Sequence, residues 1–176
     1  TDKDLKIAKC ANTDCTGGTQ FKRIDSNSFG DVGKWASIAI GVDGNPIIAY
    51  QGNVSGSLKV GKCAQADCLS GFSSMESPVG GVSNAEYISL AIGADGLPII
   101  VFSGPLSGGQ SLRAIKCTAT SGNPCGSVSL CAASPLCGVQ SQSGNAAASS
   151  MTIGTDGLPV IAYYQFNTGS SDGLYV

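Results

Sequence analysis

Three segments of the chain align without a gap: Ser37-Ile-Ala-Ile-Gly-Val-Asp-Gly-Asn-Pro-Ile-Ile-Ala-Tyr50, Ser89-Leu-Ala-Ile-Gly-Ala-Asp-Gly-Leu-Pro-Ile-Ile-Val-Phe102 and Ser150-Met-Thr-Ile-Gly-Thr-Asp-Gly-Leu-Pro-Val-Ile-Ala-Tyr163. Repetition of this kind describes a stack of equivalent units, each too small to bury its apolar face alone. In every copy a short apolar strand runs into Asp-Gly and then into a second strand rich in β-branched residues, the strongest local signal for a β-hairpin. The Asp-Gly pairs predict type I′ turns, with Asp43, Asp95 and Asp156 and the glycines after them at positive φ. Pro46, Pro98 and Pro159 stand where the second strand begins, a place where a missing N–H need not disturb the ladder.

A second block follows each hairpin: Ser57-Leu-Lys-Val-Gly-Lys-Cys63, Ser111-Leu-Arg-Ala-Ile-Lys-Cys117 and Gly173-Leu-Tyr-Val176, with a first copy at Asp4-Leu-Lys-Ile-Ala-Lys-Cys10. Leu5, Leu58, Leu112 and Leu174 are spaced by 53, 54 and 62 residues. A weaker segment, such as Gln20–Asp25 or Phe72–Glu76, completes each period. Each unit therefore reads as four strands, termed a (Ser37 type), b (Pro46 type), c (Leu58 type) and d (Phe72 type). Gly or Pro interrupts every stretch before helical spacing can develop, so the fold class is all-β. The whole of 1–176 is one repeat region, with repeats at 5–57, 58–111 and 112–173 and a further one beginning at 174–176. The expected architecture is about three four-stranded antiparallel meanders, the blades of a β-propeller.

The Gly-x-Asp-Gly-x-Pro hairpin, its aliphatic pair and aromatic, and the Leu-Lys strand after it resemble the repeats of secreted bacterial β-propellers. NHL-type repeats have the same strand order. The resemblance implies an architecture much more than an activity. A ring takes 4 to 8 blades, so about three repeats form an incomplete one. Either the chain is an excerpt of a longer propeller, the preferred reading, or copies of it complete the ring together.

Eight cysteines and no histidine read as disulfides of an oxidising compartment. Eight half-cystines allow 105 pairings, but the repeat narrows them. Cys10 with Cys15 and Cys63 with Cys68 fall at the same place between strands c and d; Cys117 with Cys125 is that place with a longer insert, and Cys131 with Cys137 closes a loop of its own. The rival reading, a four-thiolate zinc centre at the edge of zinc-ligand spacing, is disfavoured by the secreted character of the chain and the placement of the pairs on successive blades. The chain begins at Thr1 without methionine or an apolar leader, which is read as mature material, secreted or at the cell surface.

With 10 basic and 12 acidic residues and no basic run, the chain offers nucleic acid no positive field. No apolar run approaches the roughly 20 residues a membrane helix needs. Sialidase-type propellers carry a similar Asp-Gly turn, but a glycosidase needs clustered arginines or paired carboxylates. This chain has only Arg23 and Arg113, in different repeats, and only Glu76 and Glu86 as glutamates. No catalytic residue, metal site or cofactor is expected; a glycoside hydrolase fragment is the least favoured reading. Asp43, Asp95 and Asp156 recur once per repeat as a calcium ring would, but each is what its turn requires.

By resemblance to other propellers, the b–c loops (Gln51–Gly56, Ser103–Gln110, Gln165–Asp172) and d–a loops (Ser28–Trp35, Gly80–Tyr87) share one face. Trp35 and Tyr87 occupy equivalent places there, either packed between blades or stacking on a sugar or peptide. Asn53-Val-Ser55 is a glycosylation sequon. The expected function is an extracellular structural or interaction module, not an enzyme, that self-assembles through exposed blade edges. Its partners would be copies of itself or the rest of a longer propeller, with glycans or surface proteins as further ligands. The alternative is a carbohydrate-binding, lectin-like propeller.

Overall fold

The computed structural model describes residues 3–27, 30–53, 55–78, 84–106, 109–117, 128–129, 145–166 and 173–175. Its strands are β1 (Leu5–Lys9), β2 (Gln20–Asp25), β3 (Lys34–Ile40), β4 (Pro46–Gly52), β5 (Ser57–Cys63), β6 (Phe72–Glu76), β7 (Glu86–Ile92), β8 (Pro98–Leu106), β9 (Gly109–Cys117), β10 (Val128–Ser129), β11 (Asn145–Ile153), β12 (Pro159–Phe166) and β13 (Gly173–Tyr175). They form four antiparallel sheets in chain order, β1-β2, β3-β4-β5-β6, β7-β8-β9-β10 and β11-β12-β13. The two middle sheets are complete a-b-c-d meanders. The first holds strands c and d, and the last holds a, b and c. The chain is thus all-β, a row of propeller blades.

Alternation along strand b explains the stacking, because successive side chains leave opposite faces of a sheet. Ile47 and Ala49 of β4 point forward, where with Leu58 and Val60 of β5 they bury against Leu90, Ile100, Phe102 and Ile115 of the next sheet. Ile48 and Tyr50 point backward, against Leu5 of β1. Tyr163 repeats the backward position in β12 and packs with Leu112 of the preceding sheet. Strand b of the second sheet is buried along its whole length, since it has a neighbouring sheet on both faces.

Hydrogen bonds join the sheets at equivalent points. The amide N–H of Leu90 donates to Ser37 Oγ (2.9 Å), and that of Met151 donates to Ser89 Oγ (3.0 Å). Gln51 Nε2 donates to the carbonyl of Ala85 (2.9 Å), and Ser103 Oγ to that of Ala146 (2.6 Å). Between the first two sheets, Asp25 of β2 accepts from the Tyr50 hydroxyl (2.7 Å) and from Lys59 Nζ (2.9 Å). Burial, and then the neighbouring Asp25 carboxylate, push the Tyr50 phenol's pKa up, which keeps it a donor.

The hairpin turns differ from the expected type. Gly44, Gly96 and Gly157 have positive φ, but Asp43, Asp95 and Asp156 do not. Gly44 N–H bonds back to the Gly41 carbonyl, and Gly41 N–H bonds to the Asn45 carbonyl, with the same pair of bonds in the other two copies. This is a three-residue loop, a type I turn followed by a left-handed glycine. Asp Oδ1 accepts the N–H two residues on, from Asn45, Leu97 and Leu158, so the aspartate holds the turn from a right-handed conformation.

Candidate functional site

The b–c and d–a loops meet on one face, as expected. Asn84 N–H donates to the Ser55 carbonyl (3.1 Å) and Ala85 N–H to the Gly56 carbonyl (2.8 Å), tying the d–a loop of one blade to the b–c loop of the blade before. Gly56 sits at φ +67, and a Cβ there would come within 2.6 Å of Asn84 N, so this contact requires glycine. A polar cleft of about 310 Å³ opens beside the junction, lined by Asp31, Lys34, Gln51, Asn53, Asn84 and Glu86. Asp31 is bridged by Lys34 (2.6 Å) and Lys3 (2.9 Å). The hydrogen bond from Lys34, and then that from Lys3, hold its carboxyl below the ordinary range.

Trp35 and Tyr87, the residues after Lys34 and Glu86, come together with ring centroids 4.3 Å apart and planes tilted by 46°. The two rings touch across the junction between blades, but neither is a buried core residue, and Trp35 leaves 41% of its surface to solvent. Their placement comes from a feature that sequence patterning did not signal. Trp35, Tyr87 and Ala148 share one place in the repeat, all have positive φ (56, 51 and 51), and each lies in a register shift of its a–b pair. A bulge in strand a therefore aims one side chain per blade at this end of the junction. The cleft itself is walled by carboxamides, carboxylates and the Lys34 ammonium, groups that can hydrogen-bond a polyhydroxyl ligand.

The other predicted positions fall elsewhere. Cys10–Cys15 and Cys63–Cys68 are disulfides with Cα separations of 4.9 and 5.0 Å, each closing a c–d loop. Cys117 is disulfide-bonded as well; Cys125, Cys131 and Cys137 lie outside the described residues. Such bonds belong to the chemistry of an oxidising compartment. Asn53 is half-buried at φ 42 and its Oδ1 accepts from the Ser55 N–H (3.1 Å) and hydroxyl (2.6 Å); Val54, the middle of the sequon, lies outside the described residues. Arg23 pairs with Asp4 (3.3 Å), and Arg113 lies 5.6 Å from the centre of the Phe102 ring.

The hairpin aspartates have a second role that the repeat carried and turn chemistry alone did not reveal. Asp43 Oδ2 pairs with Lys62 (2.7 Å) and Asp95 Oδ2 with Lys116 (2.5 Å), each lysine standing just before the cysteine that ends strand c. The a–b turn of each middle sheet is thereby tied to its strand c. The hydrogen bonds from these lysines hold both carboxyls below the ordinary value of 3.8.

No protein-family model matches the chain, and no curated protein sequence matches it. Among solved structures, a thermostable family-43 glycoside hydrolase superposes with a TM-score of 0.54 at 16% identity, over 94% of this chain. The likeness is one of fold. The chain spans 58% of that enzyme's length, in keeping with a partial propeller.

Because the folded pKa values of Asp31, Asp43 and Asp95 are depressed, their contribution to stability is present above pH 3.8 and is withdrawn as the pH falls through the lower folded values. Thermal unfolding followed by circular dichroism will show Tm falling as the pH drops below about 4. The fall will be shallower in the Asp43→Asn/Asp95→Asn double variant; an equal fall in both proteins would remove these ion pairs from the account.

Proposed function

We infer that the chain is an extracellular structural or interaction module that works by presenting blade faces to other blades. The observation that carries this reading is the apolar surface at the two ends of the row. Ile38 on the back of the second sheet is exposed where its equivalent Leu90 is buried, and Val160 and Tyr164 on the last sheet are exposed where Ile47 and Ile99, and Gln51 and Ser103, are buried. Exposed apolar faces of this regularity mark sites of association. Short c–d loops closed by disulfides suit a repeat array that works outside the cell, where staples replace part of the core that each small unit lacks.

Sedimentation velocity across a concentration series tests the reading: the sedimentation coefficient will rise with concentration. A single coefficient for the 17.6 kDa monomer at every concentration would contradict it.

The Trp35–Tyr87 pair, which spans the junction with Trp35 exposed, favours a second reading, recognition of a carbohydrate between blades. On a glycan array, binding by the intact chain and its loss of at least tenfold in Trp35→Ala would support that site, since one aromatic stacking contact is worth about 0.5–1.5 kcal/mol beyond its area. Equal binding by both proteins would remove it.

A further inference from the structure

We propose that Met75 is a modification site for peroxides, and that its oxidation to the sulfoxide releases a hydrogen bond between the first and second sheets. The site lies where β2 of one sheet meets β4, β5 and β6 of the next. It is independent of any association between blade faces.

Tyr50 of β4 is fully buried, with its ring stacked on Phe72 of β6 at 6.1 Å between centroids and 6° between planes. Its hydroxyl meets acceptors from two sheets: Asp25 Oδ2 of β2 at 2.7 Å and Met75 Sδ of β6 at 2.8 Å. A phenol has one proton to give. A carboxylate oxygen is a far better acceptor than a thioether sulfur, so the proton goes to Asp25 and Met75 is a close neighbour that does not compete. The same Asp25 oxygen accepts from Lys59 Nζ at 2.9 Å, and that ammonium stands 5.9 Å from the centre of the Tyr50 ring.

The next blade keeps the ring and the cation but not the hydroxyl. Phe102 stands at the place of Tyr50, and Arg113, 5.6 Å from its ring centre, at that of Lys59. Only the first of these two junctions therefore carries a proton for a strand-d side chain to contest. Met75 is also the methionine more open to an oxidant: it is 45% exposed, whereas Met151, the other methionine of the chain, is half-buried. No cysteine among the described residues is a free thiol, so none competes there for the oxidant.

A sulfur lone pair attacks one oxygen of hydrogen peroxide or of an alkyl hydroperoxide. The O–O bond breaks as the S–O bond forms; sulfur gives up two electrons, and the other oxygen leaves as water or an alcohol after taking the proton of the attacked oxygen. The sulfoxide places a strong hydrogen-bond acceptor beside the Tyr50 hydroxyl where a weak one stood. It competes with Asp25 for the single phenol proton, and its polarity draws the Met75 side chain from the packed face toward water. Of the two donors that Asp25 accepts from the second sheet, Lys59 then remains.

Treatment of the intact chain with hydrogen peroxide, followed by peptide mass mapping and amide hydrogen exchange, tests the proposal. The added oxygen is expected at Met75 first and at Met151 later. Once Met75 is oxidised, the β2 amides that bond to β1 exchange faster by up to about tenfold, as the loss of one hydrogen bond gives, while those of the β7–β8 ladder do not change. Tyr50→Phe introduces the ring that Phe102 already provides in the next blade. Its β2 amides exchange faster before treatment and gain nothing from it. In Met75→Leu the same dose leaves β2 exchange as it was. Oxidation of Met151 ahead of Met75, unchanged β2 exchange after Met75 is oxidised, or an undiminished response in Tyr50→Phe or Met75→Leu overturns the proposal.

Discussion

The innermost strand of each blade is a sheet edge, and an edge presents a row of N–H groups that must find partners outside its own sheet. Here the preceding blade supplies one: Ser37 Oγ takes the N–H of Leu90, and Ser89 Oγ takes that of Met151. Each serine opens the hairpin repeat, so the hydroxyl that satisfies a neighbour's edge is encoded once per blade. The bulge two residues earlier accompanies this arrangement, with Trp35, Tyr87 and Ala148 held at positive φ. Such a conformation costs a non-glycine residue free energy, on the order of 1–3 kcal/mol, that the surrounding junction must offset.

Stacking follows from the same geometry. Once strand a is placed against its predecessor, the alternation of strand b sends Ile47 and Ala49 into one junction and Ile48 and Tyr50 into the other. A blade therefore has a forward and a backward face of different composition, and the row has polarity.

Much of this was legible in the sequence because the repeat encodes it directly. Strand order, the boundaries of Gln20–Asp25 and Phe72–Glu76, and the Cys10–Cys15 and Cys63–Cys68 pairs all follow from aligning equivalent positions. The turn type was misread because Asp-Gly suits both a two-residue I′ turn and a type I turn with a left-handed glycine, and the flanking Gly41 and Asn45 decide between them through backbone hydrogen bonds. The bulge was invisible because Trp35, Tyr87 and Ala148 share no residue type; their common conformation is imposed by pairing to strand b. The polar cleft draws on residues from three separate stretches, 30–34, 51–56 and 84–86, so it takes shape only when one blade docks on the next.

The central claim is that a side-chain hydroxyl of one blade closes the sheet edge of the next, and amide hydrogen exchange read by NMR at single residues tests it most directly. The Leu90 and Met151 amides are predicted to exchange as slowly as amides within the β7–β8 ladder. In Ser37→Ala the Leu90 amide alone should lose that protection while Met151 keeps it. Rapid exchange of Leu90 and Met151 in the intact protein, or protection of Leu90 that survives the loss of the Ser37 hydroxyl, would contradict the account.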